Sequence, residues 1–324
     1  MSCFPIAIKL KPTFETNVVR RISNYTDEAV KDENFTRRCP PGKVPIHKKT
    51  MRHQILESQI KGFHQKTQDY PYHHLVHLDT TQDLTFRGAS ASISLYNLSL
   101  QGDQFSISQI WLGSGPDEEI NNIQVGCGVF PNLYGDSQLR LTSYWTANGY
   151  KTGCYNVNCP GFVQVSPDFA MGSTFGPTST IGSDSSGKVD LLFKVLQDRT
   201  TGNWWVIMGG NSNLIGYWPK NIFTHLKDGA SWIQYGGETY TTPNLTSPPM
   251  GSGRLPREHF RNAAYFSNIK IVDSDYNEVD IQREDMETTI LTNPNCYDLL
   301  YQGYQGKSHR QAFLFGGPGG QCGP

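Results

Sequence analysis

From about residue 72 to its end, the chain is built of short runs in which apolar and polar residues alternate. A period of two marks half-buried strands, and frequent Gly, Pro, Asn and Ser between the runs mark turns. Residues 84–96 alternate and give way to the turn Asn97-Leu98-Ser99-Leu100-Gln101-Gly102. A strand with Phe105, Ile107 and Gln109 on one face then reaches Leu112, where Gly113-Ser114-Gly115-Pro116 breaks it. The next strand, residues 120–130, carries Gln124 and Cys127, and a turn at 131–136 leads into strand 139–146 with Tyr144 and Trp145. Strands are also expected at 160–168, 188–197, 203–208, 263–272 and 312–315. Residues 198–202 form a hairpin-like turn, 250–253 a flexible loop and 275–295 an irregular polar stretch. The clearest helix is 219–226: Pro219 suits the first turn, and Ile222, Phe223 and Leu226 share one face. The fold class expected is all-β, an antiparallel sandwich or barrel with one short helix.

One stretch stands apart. Ser231-Trp232-Ile233-Gln234-Tyr235-Gly236-Gly237-Glu238-Thr239-Tyr240 has strand composition, yet two glycines interrupt it and a single carboxylate follows them. Glycine inside a strand marks a bulge or the close approach of another backbone. A carboxylate beside such a gap can be a general base. The plainer reading is a strand-end Glu pointing into water.

The length, 324 residues, holds one or two domains, and no run is long and apolar enough to cross a bilayer. A net charge of −1 argues against nucleic acid as a partner. That charge is unevenly divided: residues 1–70 hold 13 Lys+Arg against 7 Asp+Glu, leaving 15 against 22 for the remainder. A basic arm before an acidic body can dock on it electrostatically, or be a solvated tail. Six of the nine histidines lie between His47 and His77, but spacings such as His73-His74 and His77 match no specific metal site. A cluster of groups titrating near neutrality can instead act as a pH-sensitive latch.

The seven cysteines and four N-x-S/T sequons, at Asn24, Asn34, Asn97 and Asn244, favour the secretory route. Residues 1–11 lack the apolar core of a signal peptide, so the expectation is a truncated start. Cys154 and Cys159 can close a small loop, Cys296 can pair with Cys322, and Cys3 and Cys39 pair or stay free. Cys127 reads as a small buried apolar side chain. The tandem Trp204-Trp205 reads as core.

An ordered set of short runs carries a resemblance. They are Ile123-Gln124-Val125-Gly126, Leu133-Tyr134-Gly135-Asp136, Tyr144-Trp145-Thr146, and Thr152-Gly153-Cys154-Tyr155 with Cys159-Pro160-Gly161-Phe162-Val163-Gln164. There follow Thr201-Gly202-Asn203-Trp204-Trp205, Gly216-Tyr217-Trp218-Pro219, Gly236-Gly237-Glu238, Met250-Gly251-Ser252-Gly253, Asn295-Cys296-Tyr297 and Gly316-Gly317-Pro318-Gly319. Together they resemble the neprosin family of plant glutamic peptidases, over residues 72–324. Cys39-Pro40-Pro41-Gly42-Lys43-Val44-Pro45-Ile46 is similar to the family's propeptide, so residues 1–71 are expected to be a poorly structured pro-segment that inhibits the body until removed.

The resemblance implies a β-sandwich of two long antiparallel sheets, eqolisin-like, with a cleft across one concave face. It implies a secreted or vacuolar endopeptidase acting after proline at acid pH, with no metal or cofactor. The family's two catalytic glutamates stand on neighbouring strands; the second maps onto Glu238 and the first onto Gln124. The fungal eqolisins, whose fold is similar, use one Gln and one Glu. Tyr235, Tyr240, Tyr144 and Trp145 are the candidate cleft walls, with a core role the alternative for Trp145. The rival readings are a non-catalytic sandwich binding peptide or cell-wall carbohydrate, and a purely structural extracellular protein.

Overall fold

A computed structural model describes residues 2–6, 12–13, 39–40, 42–46, 72–210 and 213–323. In chain order the strands are β1 (Ser2–Pro5), β2 (Lys43–Ile46), β3 (His73–Thr80), β4 (Gly88–Ser94), β5 (Phe105–Ser114) and β6 (Asn121–Val129). Then come β7 (Arg140–Ala147), β8 (Thr152–Tyr155), β9 (Val163–Gln164), β10 (Asp190–Gln197), β11 (Trp204–Met208) and β12 (Asn213–Trp218). The last are β13 (Trp232–Tyr240), β14 (Ala264–Val272), β15 (Glu278–Asp280), β16 (Met286–Leu291), β17 (Asp298–Tyr304) and β18 (Gln311–Gly316).

Two antiparallel sheets hold nearly all of them. One has seven strands in the order β16-β3-β13-β5-β6-β7-β8, the other nine in the order β17-β18-β14-β4-β10-β11-β12-β9, with β15 added beside β14. One apolar core lies between the sheets. Val76, Ile110, Leu112, Ile123, Val125, Ile233 and Tyr235 enter it from the first; Ala91, Ile93, Phe193, Val195, Trp204, Phe266 and Phe313 come from the second. The fold is therefore an all-β antiparallel sandwich, each strand sending every second residue inward.

Strands occur at every stretch where alternation puts one, but β3, β8, β12 and β17 form where none was expected, and three expected stretches differ. The helix expected at 219–226 is two single 3-10 turns, Lys220–Ile222 and Leu226–Asp228. Between them Asn121 Oδ1 accepts from the backbone N–H groups of His225 (2.7 Å) and Leu226 (3.2 Å), diverting donors that a helix would use itself. The burial of Phe223 and Leu226 survives without the helix. Residues 275–295 are not irregular: they contain β15 and β16, the latter an edge strand of the seven-stranded sheet. Only Val163–Gln164 of the expected strand at 160–168 is paired.

Disulfides join Cys154 to Cys159, Cys296 to Cys322, and Cys3 to Cys39. Cys127 is buried and free, its thiol pushed up by burial. Asn97 and Asn244 are exposed, whereas Asn24 and Asn34 lie outside the described residues. So do His47, His53, His64 and most of the stretch expected to be poorly structured. Two of the described N-terminal residues bond to the nine-stranded sheet or the turn after β10: Thr13 donates through N (2.6 Å) and Oγ1 (2.8 Å) to Asp198 Oδ2, and Gln164 Nε2 donates to Pro45 O (2.6 Å).

Candidate functional site

Strand register builds the site. In the seven-stranded sheet β5 lies between β13 and β6. Gln109 on β5 pairs with Gly236 on β13 and with Gly126 on β6, so one row across the sheet reads Gly236–Gln109–Gly126. Glu238 stands two residues from Gly236, opposite Ile107; Gln124 stands two residues from Gly126, opposite Trp111. All three polar side chains share the face turned away from the inter-sheet core, because positions two apart point the same way.

The expected pair therefore shares a face, but not as neighbours. Gln124 and Glu238 were expected on adjacent strands; a whole strand separates them, and the β5 residues they face, Trp111 and Ile107, are four positions apart. Gln109 spans the gap. Its Nε2 donates to Glu238 Oε2 (2.8 Å) and to Gln124 Oε1 (3.1 Å). On the other side of β13, His73 Nε2 donates to Glu238 Oε1 (2.6 Å). Each carboxylate oxygen thus has its own donor. The four residues are 0–7 % exposed, Glu238 itself 1 %. That excludes the strand-end reading, since a buried carboxylate is stabilised by partners such as these.

The glycines fall where the strands press together. A Cβ on Gly236 would sit 2.0 Å from Val76 O, and one on Gly126 2.0 Å from Ser108 O and 2.6 Å from Gln109 Cα. Neither breaks its strand: β13 runs from Trp232 to Tyr240 with unbroken register against β3 and β5. The interruption expected at Gly236-Gly237 is a close approach of backbones. Gly237 faces the core, where Met250 Sδ would lie 2.6 Å from its Cβ.

Of the four expected cleft walls, two lie on the site face. Tyr144 pairs with Gln124 across β6 and β7, and Tyr240 follows Glu238 by two residues. Both join an aromatic cluster with Phe105, Phe130 and Tyr155. Tyr235 does not line the site face, and Trp145 takes the core role that was its alternative: both point into the inter-sheet core, and Tyr235 Oη donates to Lys270 O (2.9 Å). Each stands an odd number of positions from its site neighbour, three for Tyr235 and Glu238 and one for Trp145 and Tyr144, so the pleat turns it to the other side.

Electrostatics on this face favour neutral phenols around one carboxylate. Burial pushes the hydroxyls of Tyr144 and Tyr155 up, and Tyr150 up to about 12; the charge of Glu238 adds to all three. Such phenols remain protonated and can donate hydrogen bonds. His74, one residue on from His73, faces the opposite side. Its ring packs against Tyr297 and bonds to Ser247 Oγ (3.0 Å) and Thr292 Oγ1 (2.9 Å). Burial, with the charge of His73 second, lowers it to about 4. His77 Nδ1 donates to both oxygens of Asp79 (2.8 and 2.9 Å), and Thr289 Oγ1 donates to Asp79 Oδ2 (2.6 Å). No cluster of three or more metal-ligating side chains occurs among the described residues.

Two site residues carried no assigned role in the sequence. Gln109 is an amide at the middle of an apolar strand, on one face with Phe105 and Ile107, and that isolation was its only signal. His73 was one of a run of histidines, with nothing local to distinguish it from His74 or His77.

Solved structures similar to this chain include scytalido-glutamic peptidase with a transition state analog inhibitor. It is 11 % identical with a TM-score of 0.42, and the match covers 76 % of this chain and 98 % of that one. SCP-B, a member of the Eqolisin family of peptidases in a complex with the tripeptide Ala-Ile-His, is 12 % identical. Its TM-score is 0.37, with 76 % of this chain and 97 % of that one covered. The Neprosin family model matches residues 102–318, a span that contains Gln109, Gln124 and Glu238. The match takes in more than half of the chain, and the protein belongs to the Neprosin family.

Proposed function

We propose that this protein is a glutamic endopeptidase, made as a zymogen whose residues 1–71 are removed, that cleaves peptide bonds after proline at acid pH. The observation that carries the reading is the bridged set Gln124–Gln109–Glu238 with His73 behind it, buried on one sheet face. Family membership and the peptidases named among similar structures are consistent with it.

The chemistry needs a base, an oxyanion donor and an acid. Glu238 takes a proton from water as the water oxygen bonds to the scissile carbonyl carbon. The carbonyl oxygen becomes an oxyanion and accepts from Gln124 Nε2–H. Collapse breaks the C–N bond, and the proton held by Glu238 passes to the leaving amine. The sum is one water consumed, one acid and one amine formed. Gln124 supplies a donor at every pH, where a second glutamate could do so only while protonated. Tyr144 and Tyr240 offer aromatic faces to the proline ring.

A second reading is a non-catalytic sandwich that binds peptide or cell-wall carbohydrate on the same face. The slight exposure of Glu238 favours it. The test is digestion of a proline-rich peptide by protein matured at acid pH, with fragments read by mass spectrometry. Cleavage by wild type and none by Glu238→Gln is the expected result. Tight peptide binding without cleavage by either protein would establish the second reading.

A further inference from the structure

We infer that Gln109 is the positioning residue of this site: one amide nitrogen sets both the direction of the Gln124 amide and the placement of the Glu238 carboxylate. The inference rests on the reading of the Gln124/Glu238 pair given above.

It follows from counting donors and acceptors. An ionised carboxylate only accepts, so the end of the Gln109 amide that meets Glu238 Oε2 is its NH2 group. Turning that amide over would set oxygen against oxygen. The second N–H of the same nitrogen points to Gln124, which must answer with its carbonyl oxygen. With Oε1 of Gln124 engaged, its Nε2 is left at the far end of the amide, and the Gln124 side chain makes no other hydrogen bond among the described residues. The charge on Glu238 is thereby transmitted through Gln109 into the orientation of a group one strand further away. Gln109 Oε1 is buried without a partner, so demand for its donors, not its acceptor, sets the orientation.

The backbone makes this bridge possible. Gln109 has glycine beside it on both neighbouring strands, so no side chain stands in its row between it and the two diagonal positions. Diagonal neighbours in a sheet are within reach of a long side chain, and Gln109 reaches both. A shorter Asn could not.

The experiment uses the full chain matured at acid pH and three variants: Gln109→Met, which keeps the length and removes the donors, Gln109→Glu, and Glu238→Gln. Gln109→Met is expected to lower kcat about 10- to 100-fold with KM within about threefold, since charge-assisted bonds hold groups made for the transition state. Its acid limb should move to higher pH, because a carboxylate that loses a donor protonates more readily. His73, Tyr144, Tyr150 and Tyr155 also face Glu238 and are common to every variant. Gln109→Glu, protonated at acid pH, keeps one donor and should fall between. A second readout needs no turnover: 13C titration of the Glu238 carboxyl, identified by its loss in Glu238→Gln, should move upward in Gln109→Met. Wild-type kcat with an unmoved acid limb, or an unmoved carboxyl titration, would overturn the inference. An inactive wild type with the titration still moved would instead remove the peptidase reading and leave the bridge standing.

Discussion

His73 and Glu238 meet through one buried hydrogen bond of 2.6 Å although 165 residues separate them in the chain. The bond joins β3 to the carboxylate on β13 beside it, with Tyr240 directly opposite His73. His73→Leu leaves Glu238 Oε1 without this donor. Loss of a hydrogen bond to a charged group costs roughly 1.5–3 kcal/mol, so kcat should fall about 10- to 100-fold while KM changes little. His73→Gln supplies an N–H and should recover part of the loss. Steady-state kinetics of the two variants separate a donor from a space-filling ring: equal activity of both would contradict the assignment.

Gln124 is expected to act as a donor only. Gln124→Leu removes it and should lower kcat by about 10²–10³, the usual effect of deleting one oxyanion donor. Gln124→Glu should stay active and change the shape of the pH–rate profile, because a carboxyl donates only when protonated. Activity in Gln124→Leu equal to wild type would remove the oxyanion role.

His74 makes stability depend on pH in a defined direction. Its pKa in the folded protein, about 4, lies below the ordinary 6.5, so between these values the unfolded chain binds a proton that the folded one refuses. The contribution is fully present above pH 6.5 and declines as pH falls toward 4. His74→Gln cannot titrate. The difference in urea midpoint between wild type and this variant should shift against wild type from pH 7 to pH 4.5; a constant difference would mean that His74 charges freely in the fold.

The bond between Cys296 and Cys322 ties the segment before β17 to the chain's last residues across 26 positions. Closing a loop of that size is worth about 3.5 kcal/mol in the chain-entropy account. Cys322→Ser should therefore lower Tm by several degrees without lowering kcat at 25 °C. A fall in kcat with unchanged Tm would show the bridge acting on the site instead.

Parity along each strand decides which side chains can meet on one face, whatever the composition. Tyr235 and Glu238 are three residues apart and Tyr144 and Trp145 are adjacent, so neither pair can share a sheet face. Tyr235 and Trp145 are core residues for that reason alone. The same rule applied to residues 286–291 picks out Met286 and Ile290, which pack against the core, although charged surroundings disguise the strand.

Alternation, turn residues and cysteine spacing are local properties, and they carried the all-β class, many strand positions, the Cys154–Cys159 loop and the isolated carboxylate Glu238, whereas Gln124 stood out only through the resemblance to a family. Strand order is not local. Whether β5 lies between β6 and β13 depends on which edges pair once both faces are buried, a long-range choice made by the packing of two whole sheets. That choice places Gln109 between the pair and His73 against the carboxylate, and no spacing within any single run encodes either contact.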